Sequence, residues 1–299
     1  MTRPRQILPG STYLVTRRCA QRQFLLKPSR TVREIFLYCL AYSASRSGIA
    51  IHGFTVLSNH FHLVCTDPLG ELPRFMQWLD EFVARALNAY RGRWESFWAP
   101  GSYSEVRLLE AEDQLDKLVY ALTNPVKHGL VKRARLWPGA KSLDHAYGET
   151  VTARRPEGFF REDGPMPEEA SFTLARPPGF ADRSDEDFGA LLARRIDERE
   201  MELRQEFRLL GLRFAGLHAI RKARATDVPD GPAPRRRLNP RIACKDPGRR
   251  VVELDRLKAF QVEYRECFAR WRKGVRSVLF PFGTYQLRVQ AGVACRAPP

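Results

Sequence analysis

The stretch TVLSNHFHLVCT, residues 55–66, places two histidines one residue apart in a run otherwise built for a buried β-strand. Side chains alternate across a strand, so His60 and His62 point to one face and Phe61 to the other. Two imidazoles side by side do little for a hydrophobic core, but they can grip one metal ion from two directions. On spacing alone, a half-exposed strand with two solvated histidines explains the pattern as well. Cys65 alternates onto the Phe61 face, which leaves a zinc site built from all three residues incomplete.

Working outward, IAIHGFTVL is β-branched and aromatic, and Ser58-Asn59 is a tight turn. Residues 49–66 therefore read as a hairpin whose second strand opens on the histidines. Ser11 to Arg18 reads as an earlier strand after a Pro-Gly turn. Val32, Ile35, Phe36, Cys39 and Leu40 predict a helix over about 29–45. PRFMQWLDEFVARALNAYRGR is amphipathic, with Phe75, Trp78, Leu79, Phe82, Val83, Ala86 and Leu87 on one side. GSYSEVRLL reads as a strand, and a helix then starts in the acidic EAEDQ, which suits a helix N-terminus. Strand, helix, hairpin, helix, strand, helix predicts an α+β sandwich with a mainly antiparallel sheet.

In that last helix, Leu115, Leu118, Val119 and Leu122 follow core spacing. Tyr120 falls outside the stripe, in a polar band with Asp116, Lys117 and Asn124. Tyr120 and Asn124 form an i, i+4 pair on one face, and Pro125 ends or kinks the helix after Asn124. A boundary tyrosine with a half-buried ring is the plainer explanation of Tyr120 taken alone.

Composition narrows the partners. The 299 residues carry a formal charge of +16, which calls for a polyanion. Residues 1–150 hold 20 basic and 13 acidic side chains, residues 151–200 hold 8 and 12, and residues 201–299 hold 22 and 9. The C-terminal third therefore carries most of the excess. Six scattered cysteines without a CxxC pair read as reduced thiols. The opening MTRPRQILPG lacks the apolar core of a signal peptide, and no apolar run approaches about 18 residues, so no membrane partner is expected. A cytoplasmic, nucleoid-associated location is the expectation.

LSNHFHLV, followed about 60 residues later by YALTNPVKHGLV, resembles the single-tyrosine HUH transposases, where U is a bulky apolar residue. It is most similar to their REP-associated branch, whose usual forms are MPNHxHLL and YIxxNPVRAGLV. PGSTYLVTRR resembles the opening strand of that family and RLWPGAKS the segment after its tyrosine helix, so the resemblance spans residues 8–148. Leu14 stands where relatives often carry His, and KHG replaces RAG at 127–129.

The resemblance implies a ferredoxin/RRM-like antiparallel sheet with helices packed on it, the HUH endonuclease domain; it has no counterpart for the C-terminal half, whose own apolar stripes predict a mostly helical extension. It implies that Tyr120 is the nucleophile on single-stranded, hairpin-bearing DNA, and that the strand passes through a 5′-phosphotyrosine. His60 and His62 would hold Mg²⁺ or Mn²⁺, with Asn124 as the third protein ligand. Arg17 and Arg18, near the sheet edge, and Lys127 would contact DNA; by charge alone, the run Arg235, Arg236 and Arg237 reads equally as a phosphate contact or as a solvated linker. A homodimer is implied as well. The competing expectation is a non-catalytic, domesticated protein that binds nucleic-acid hairpins. His52, His128, His145 and His218 show no ligand pattern and read as structural. Tyr13, Tyr90, Tyr103 and Tyr147 read as packing or surface residues.

Three regions are expected: residues 1–148 as the endonuclease domain, 149–187 as a flexible Pro-, Gly- and acid-rich linker, and 188–299 as a basic, mainly helical region. In that region Leu192, Ile196, Leu203, Phe207, Leu210 and Phe214 form one stripe. Leu254, Leu257, Tyr264, Phe268 and Trp271 form another, and the two predict a helical hairpin. The tail SVLFPFGTYQLRVQAGVAC reads as one or two strands.

Overall fold

The structure, a computed structural model, describes residues 4–161, 163–231 and 240–298. Its centre is a sheet of β1 (Ser11–Arg18), β2 (Ala50–Val56), β3 (His60–Asp67) and β4 (Ser104–Leu108), in the spatial order β2-β3-β1-β4. The three pairings among them are antiparallel. With α1 (Arg30–Ser47) between β1 and β2, and α2 (Leu72–Tyr90) between β3 and β4, this is the ferredoxin-like arrangement. A short fifth strand, β7 (Ile242–Ala243), joins β4 in parallel; β5 and β6 are described below.

Alternation along the strands divides the core in two. Val15, Phe61, Leu63 and Cys65 point to the side covered by α1 and α2, where Ile35, Phe36, Leu79 and Val83 are buried. Leu14, Val64, Val106 and Leu108 point to the other side. There α3 (Ala111–Leu122) lays down Leu115, Leu118, Val119 and Leu122, the stripe predicted from its spacing. Each fully buried leucine or phenylalanine contributes roughly 1.5–3 kcal/mol. The α3 helix presses close because β2 offers Gly53 at a register shift: a Cβ there would meet Leu118 Cδ2 at 2.6 Å. The helix ends are set by the residues that name them. Ser29 accepts from the Val32 amide ahead of α1, and Glu110 and Asp113 form a reciprocal capping box at α3. Buried Asp67 accepts the amides of Glu71 and Leu72 at the start of α2.

The region expected as a flexible linker is not bare. It contains an antiparallel pair, β5 (Thr150–Arg154) and β6 (Glu169–Thr173), lying along α1. Val151, Ala153, Ala170 and Phe172 alternate inward into the α1–α2 core while their neighbours face out. The alternation is present in TVTAR and EASFT, but the prolines and acids around them mask it.

The C-terminal stripes also find partners other than each other. Helix α5 (Asp185–Leu209) buries Phe188, Leu192 and Ile196 against α3, and Leu203 against the Val126–Trp137 region. Past α5 the chain turns at Gly211 (φ +64°) and resumes helix as α6 (Gly216–Lys222). Before it, the turn α4 (Asn124–Lys127) follows α3 directly. Helix α7 (Pro247–Arg272) packs Cys267 with Val278, Phe280 and Val293 of the chain's own tail. It is tied to β4 by the Arg107–Glu253 ion pair and to the α3 cap by Arg249–Glu110, 2.9 Å. The tail expected as strands holds the helix α8 (Gln286–Ala291), with single bridges at Thr284 and Cys295. Among the described residues no helix is long and apolar enough to cross a membrane.

Phe188 is the anchor of α5, with ring centres of Tyr147 at 4.7 Å and Phe180 at 5.0 Å. Phe188→Ala is expected to lower stability by about 3–5 kcal/mol in chemical denaturation. A loss under about 1 kcal/mol would show that α5 is not part of the core.

A buried polar chain joins the same parts. His52 Nδ1 donates to Ala175 O (2.8 Å), so its Nε2 accepts from Thr66 Oγ1 (2.7 Å), and Thr66 in turn bonds Thr12 (2.8 Å). Burial holds the His52 pKa down at about 4. The unfolded chain takes up this proton near pH 6.5 and the folded one only near 4. The folded state is therefore fully favoured above about 6.5 and loses on the order of 3 kcal/mol between there and pH 4. His52→Gln is expected to flatten that limb of the stability–pH curve; an unchanged slope would contradict the assignment.

Candidate active site

The hairpin turn at Ser58-Asn59 delivers His60 and His62 to the α3 side of the sheet, with their ring centres 4.9 Å apart. Each imidazole is fixed through Nδ1. His62 Nδ1 meets Thr16 Oγ1 at 2.8 Å, because the β1–β3 register sets Thr16 opposite His62. His60 Nδ1 meets Asn59 Oδ1 at 2.7 Å. Nδ1 is thus the nitrogen by which the protein orients each ring.

Tyr120 projects from α3 onto this pair, its ring centre 5.2 Å from that of His62, within a single chain. The helix ends at Leu122 because Pro125 lacks the amide that would continue the ladder. Asn124 is thereby left fully buried, and neither its Oδ1 nor its Nδ2 has a hydrogen-bond partner. Burying both ends of a carboxamide without partners costs about 1–3 kcal/mol per group. Lys127 lies over the Tyr120 ring, Nζ to centroid 4.7 Å. Burial, and next the neighbouring Arg199 charge, hold its pKa below the ordinary lysine value.

Beside Tyr120 an open cavity of about 310 Å³ separates α3 from α5, lined by Thr123, Lys127 and the charged residues Arg195, Arg199, Glu198 and Glu202. Its arginines are paired, Arg195 with Asp116 at 3.1 Å and Arg199 with Glu202 at 2.6 Å. The C-terminal region thus supplies one wall of the cleft.

The other expected DNA contacts divide. Arg18 pairs in register with His60 and is exposed on the histidine face. Arg17 lies one residue earlier and so on the opposite face, in an ion pair with Asp80 (2.9 Å) and bonded to Ala99 O and Gly101 O. Burial pushes the Asp80 carboxyl up to about 7, against the pull of Arg17. Arg17 holds loop and helix together instead of facing the cleft. Arg235, Arg236 and Arg237 lie outside the described residues.

One histidine expected to be structural stands at the site. The His128 ring centre is 5.8 Å from that of His60. Partial desolvation, and then the Lys127 charge, lower its pKa. Asn124 and His128 are themselves an i, i+4 pair across the Pro125 turn, and that spacing was the signal available in the sequence. His52 is structural, as expected, and His145 bonds Glu149 at the surface. Among the described residues, the group of three His, Cys, Asp or Glu side chains close enough to share an ion is Glu110, Asp113 and Cys244, but its carboxylates already serve the α3 cap, Arg249 and the Lys245 amide.

No protein-family model and no curated protein matches the chain. Among solved structures it is similar to a REP-associated tyrosine transposase bound to a REP hairpin. Identity is 20%, the TM-score is 0.41, and the match covers 48% of this chain and 83% of that one. It is similar also to a candidate transposase from Deinococcus radiodurans, with 18% identity, a TM-score of 0.28, and 36% and 85% coverage.

Proposed function

We propose that this protein is a transposase-type strand transferase that cleaves and rejoins single-stranded, hairpin-bearing DNA through Tyr120. The observation that carries the reading is the meeting of Tyr120 and His62, ring centres 5.2 Å apart, with His60 paired to His62 at 4.9 Å. A boundary tyrosine packed for its ring alone explains neither the two oriented imidazoles nor the unsatisfied carboxamide.

His60, His62 and Asn124 fit a divalent ion: two imidazole nitrogens and a carboxamide oxygen suit Mn²⁺ well and Mg²⁺ acceptably. When bound, such an ion polarises a non-bridging oxygen of the scissile phosphate and offsets its charge. The protein's own residues do the rest. Thr16 and Asn59 hold the rings in one orientation. Leu118 and Leu122, packed against Gly53, and the buried Leu115 fix α3 and so fix Tyr120 against the histidines. The Tyr120 Oη–P bond forms as the P–O3′ bond breaks, giving a 5′-phosphotyrosine and a free 3′-hydroxyl. The phenol loses its proton and the departing 3′-oxygen gains one, so the step balances without a nucleotide cofactor. Attack by another 3′-hydroxyl reverses it and transfers the strand. Lys127, over the Tyr120 ring, and Arg18, beside His60, are placed for phosphates. A homodimer belongs to the same proposal, each copy carrying its own tyrosine and histidines.

The test is cleavage of labelled hairpin-bearing single strands in Mn²⁺. The expected products are the upstream fragment with a free 3′-hydroxyl and the downstream fragment linked to the protein through its 5′-phosphate, neither formed when EDTA is added. Intact DNA bound without either product would favour the domesticated hairpin-binding protein.

A further inference from the structure

We propose that His128 is a third imidazole ligand at the centre built on His60 and His62, an inference that rests on reading that centre as a metal site. Its ring stands 5.8 Å from that of His60, at 83° to it; the His62 ring stands 4.9 Å from His60, at 84°. Two imidazoles sharing one ion, with metal–nitrogen bonds of about 2.1 Å, place their ring centres about 4.5–5.5 Å apart. The histidine pair on the strand lies inside that window. His128 lies a few tenths of an ångström outside it, and the ligand nitrogens of the three histidines are not all within reach of one ion as they stand, so the exposed His128 side chain must turn to bring its ring in.

The backbone aims the residue. The His128 amide donates to Asn124 O at 3.0 Å, so the turn that withdraws Asn124 into the protein also sets His128 one turn beyond it. Gly129, at φ +67°, then carries the chain away, a conformation that a side chain there would strain. Ligand candidates therefore come from two elements: His60 and His62 from β3, Asn124 and His128 from the Pro125 turn.

A third imidazole changes what the centre selects. Histidine nitrogens discriminate in favour of later first-row divalent ions, whereas Mg²⁺ prefers oxygen and keeps its waters. The centre accordingly takes a transition-metal ion, such as Mn²⁺ and more tightly Ni²⁺, in preference to Mg²⁺.

Calorimetric titration of the DNA-free, full-length protein with Ni²⁺, Mn²⁺ or Mg²⁺ alone reads this without any activity. His128→Ala is expected to weaken Ni²⁺ binding by about tenfold or more and Mg²⁺ binding little, with an unchanged circular dichroism spectrum because the ring is exposed. His60→Ala is expected to weaken all three ions. If His60→Ala loses Ni²⁺ while His128→Ala binds it as the wild type does, the centre stands and the third ligand falls. The third ligand falls in that case even if His128→Ala cleaves poorly, since the ring would then be acting on DNA. If His60→Ala itself binds like the wild type, the metal-site reading fails along with this one.

Discussion

Tyr120→Phe is expected to abolish the covalent protein–DNA adduct while leaving hairpin binding nearly unchanged. Only the hydroxyl is lost; the ring keeps its packing against His62 and under Lys127. The check is a denaturing gel beside a filter-binding curve on the same hairpin. The nine tyrosines make this a discriminating test. Tyr13 and Tyr103 are buried, the hydroxyls of Tyr38 and Tyr147 donate to Pro167 O and His52 O, and Tyr285 is bonded to Glu71. Tyr42 is buried as well, so Tyr90, partly exposed at the end of α2, and Tyr264, half-buried on α7, are the residues an adduct in the Phe variant would implicate.

His60→Ala is expected to slow cleavage by about 10³-fold, since metal stabilisation of the phosphate contributes several kcal/mol and each 1.4 kcal/mol is tenfold. His60 suits the experiment better than His62, which is 4% exposed and hydrogen-bonded to Thr16, so that its removal disturbs the sheet. The variant should fold and bind DNA as the wild type does. Single-turnover rates at saturating Mn²⁺ measure the loss. A reduction below about tenfold would mean that the histidine pair does not hold a catalytic ion.

Much of this arrangement is legible in the sequence because it rests on local periodicity. HFHLVCT alternates, LDKLVYAL carries a helical stripe that excludes Tyr120, and NP stops the helix where it must. The order of β1, α1, β2, β3, α2 and β4 follows from the same patterns. What escaped depends on pairing across the chain. Thr16 becomes a partner of His62 only once β1 and β3 are in register, and Arg17 turns from a DNA contact into a structural ion pair by the same one-residue alternation. His128 carries its signal, the i, i+4 spacing from Asn124, across the turn at Pro125, where the α3 stripe has already ended. The stripes of α5 and α7 are visible, but apolar faces do not name their partners; α5 chose the tyrosine helix and α7 the tail.

The central claim is that one side chain, Tyr120, carries the strand. Tryptic digestion of the trapped adduct, followed by mass spectrometry, tests it directly. Cleavage after Lys117 and Lys127 releases Leu118–Lys127, LVYALTNPVK, which holds Tyr120 and no other tyrosine. The predicted result is that this peptide bears the mass of the 5′-nucleotide, with fragment ions placing it on the tyrosine. The same mass on a different tyrosine peptide, or DNA cleaved with no peptide modified, would contradict the account.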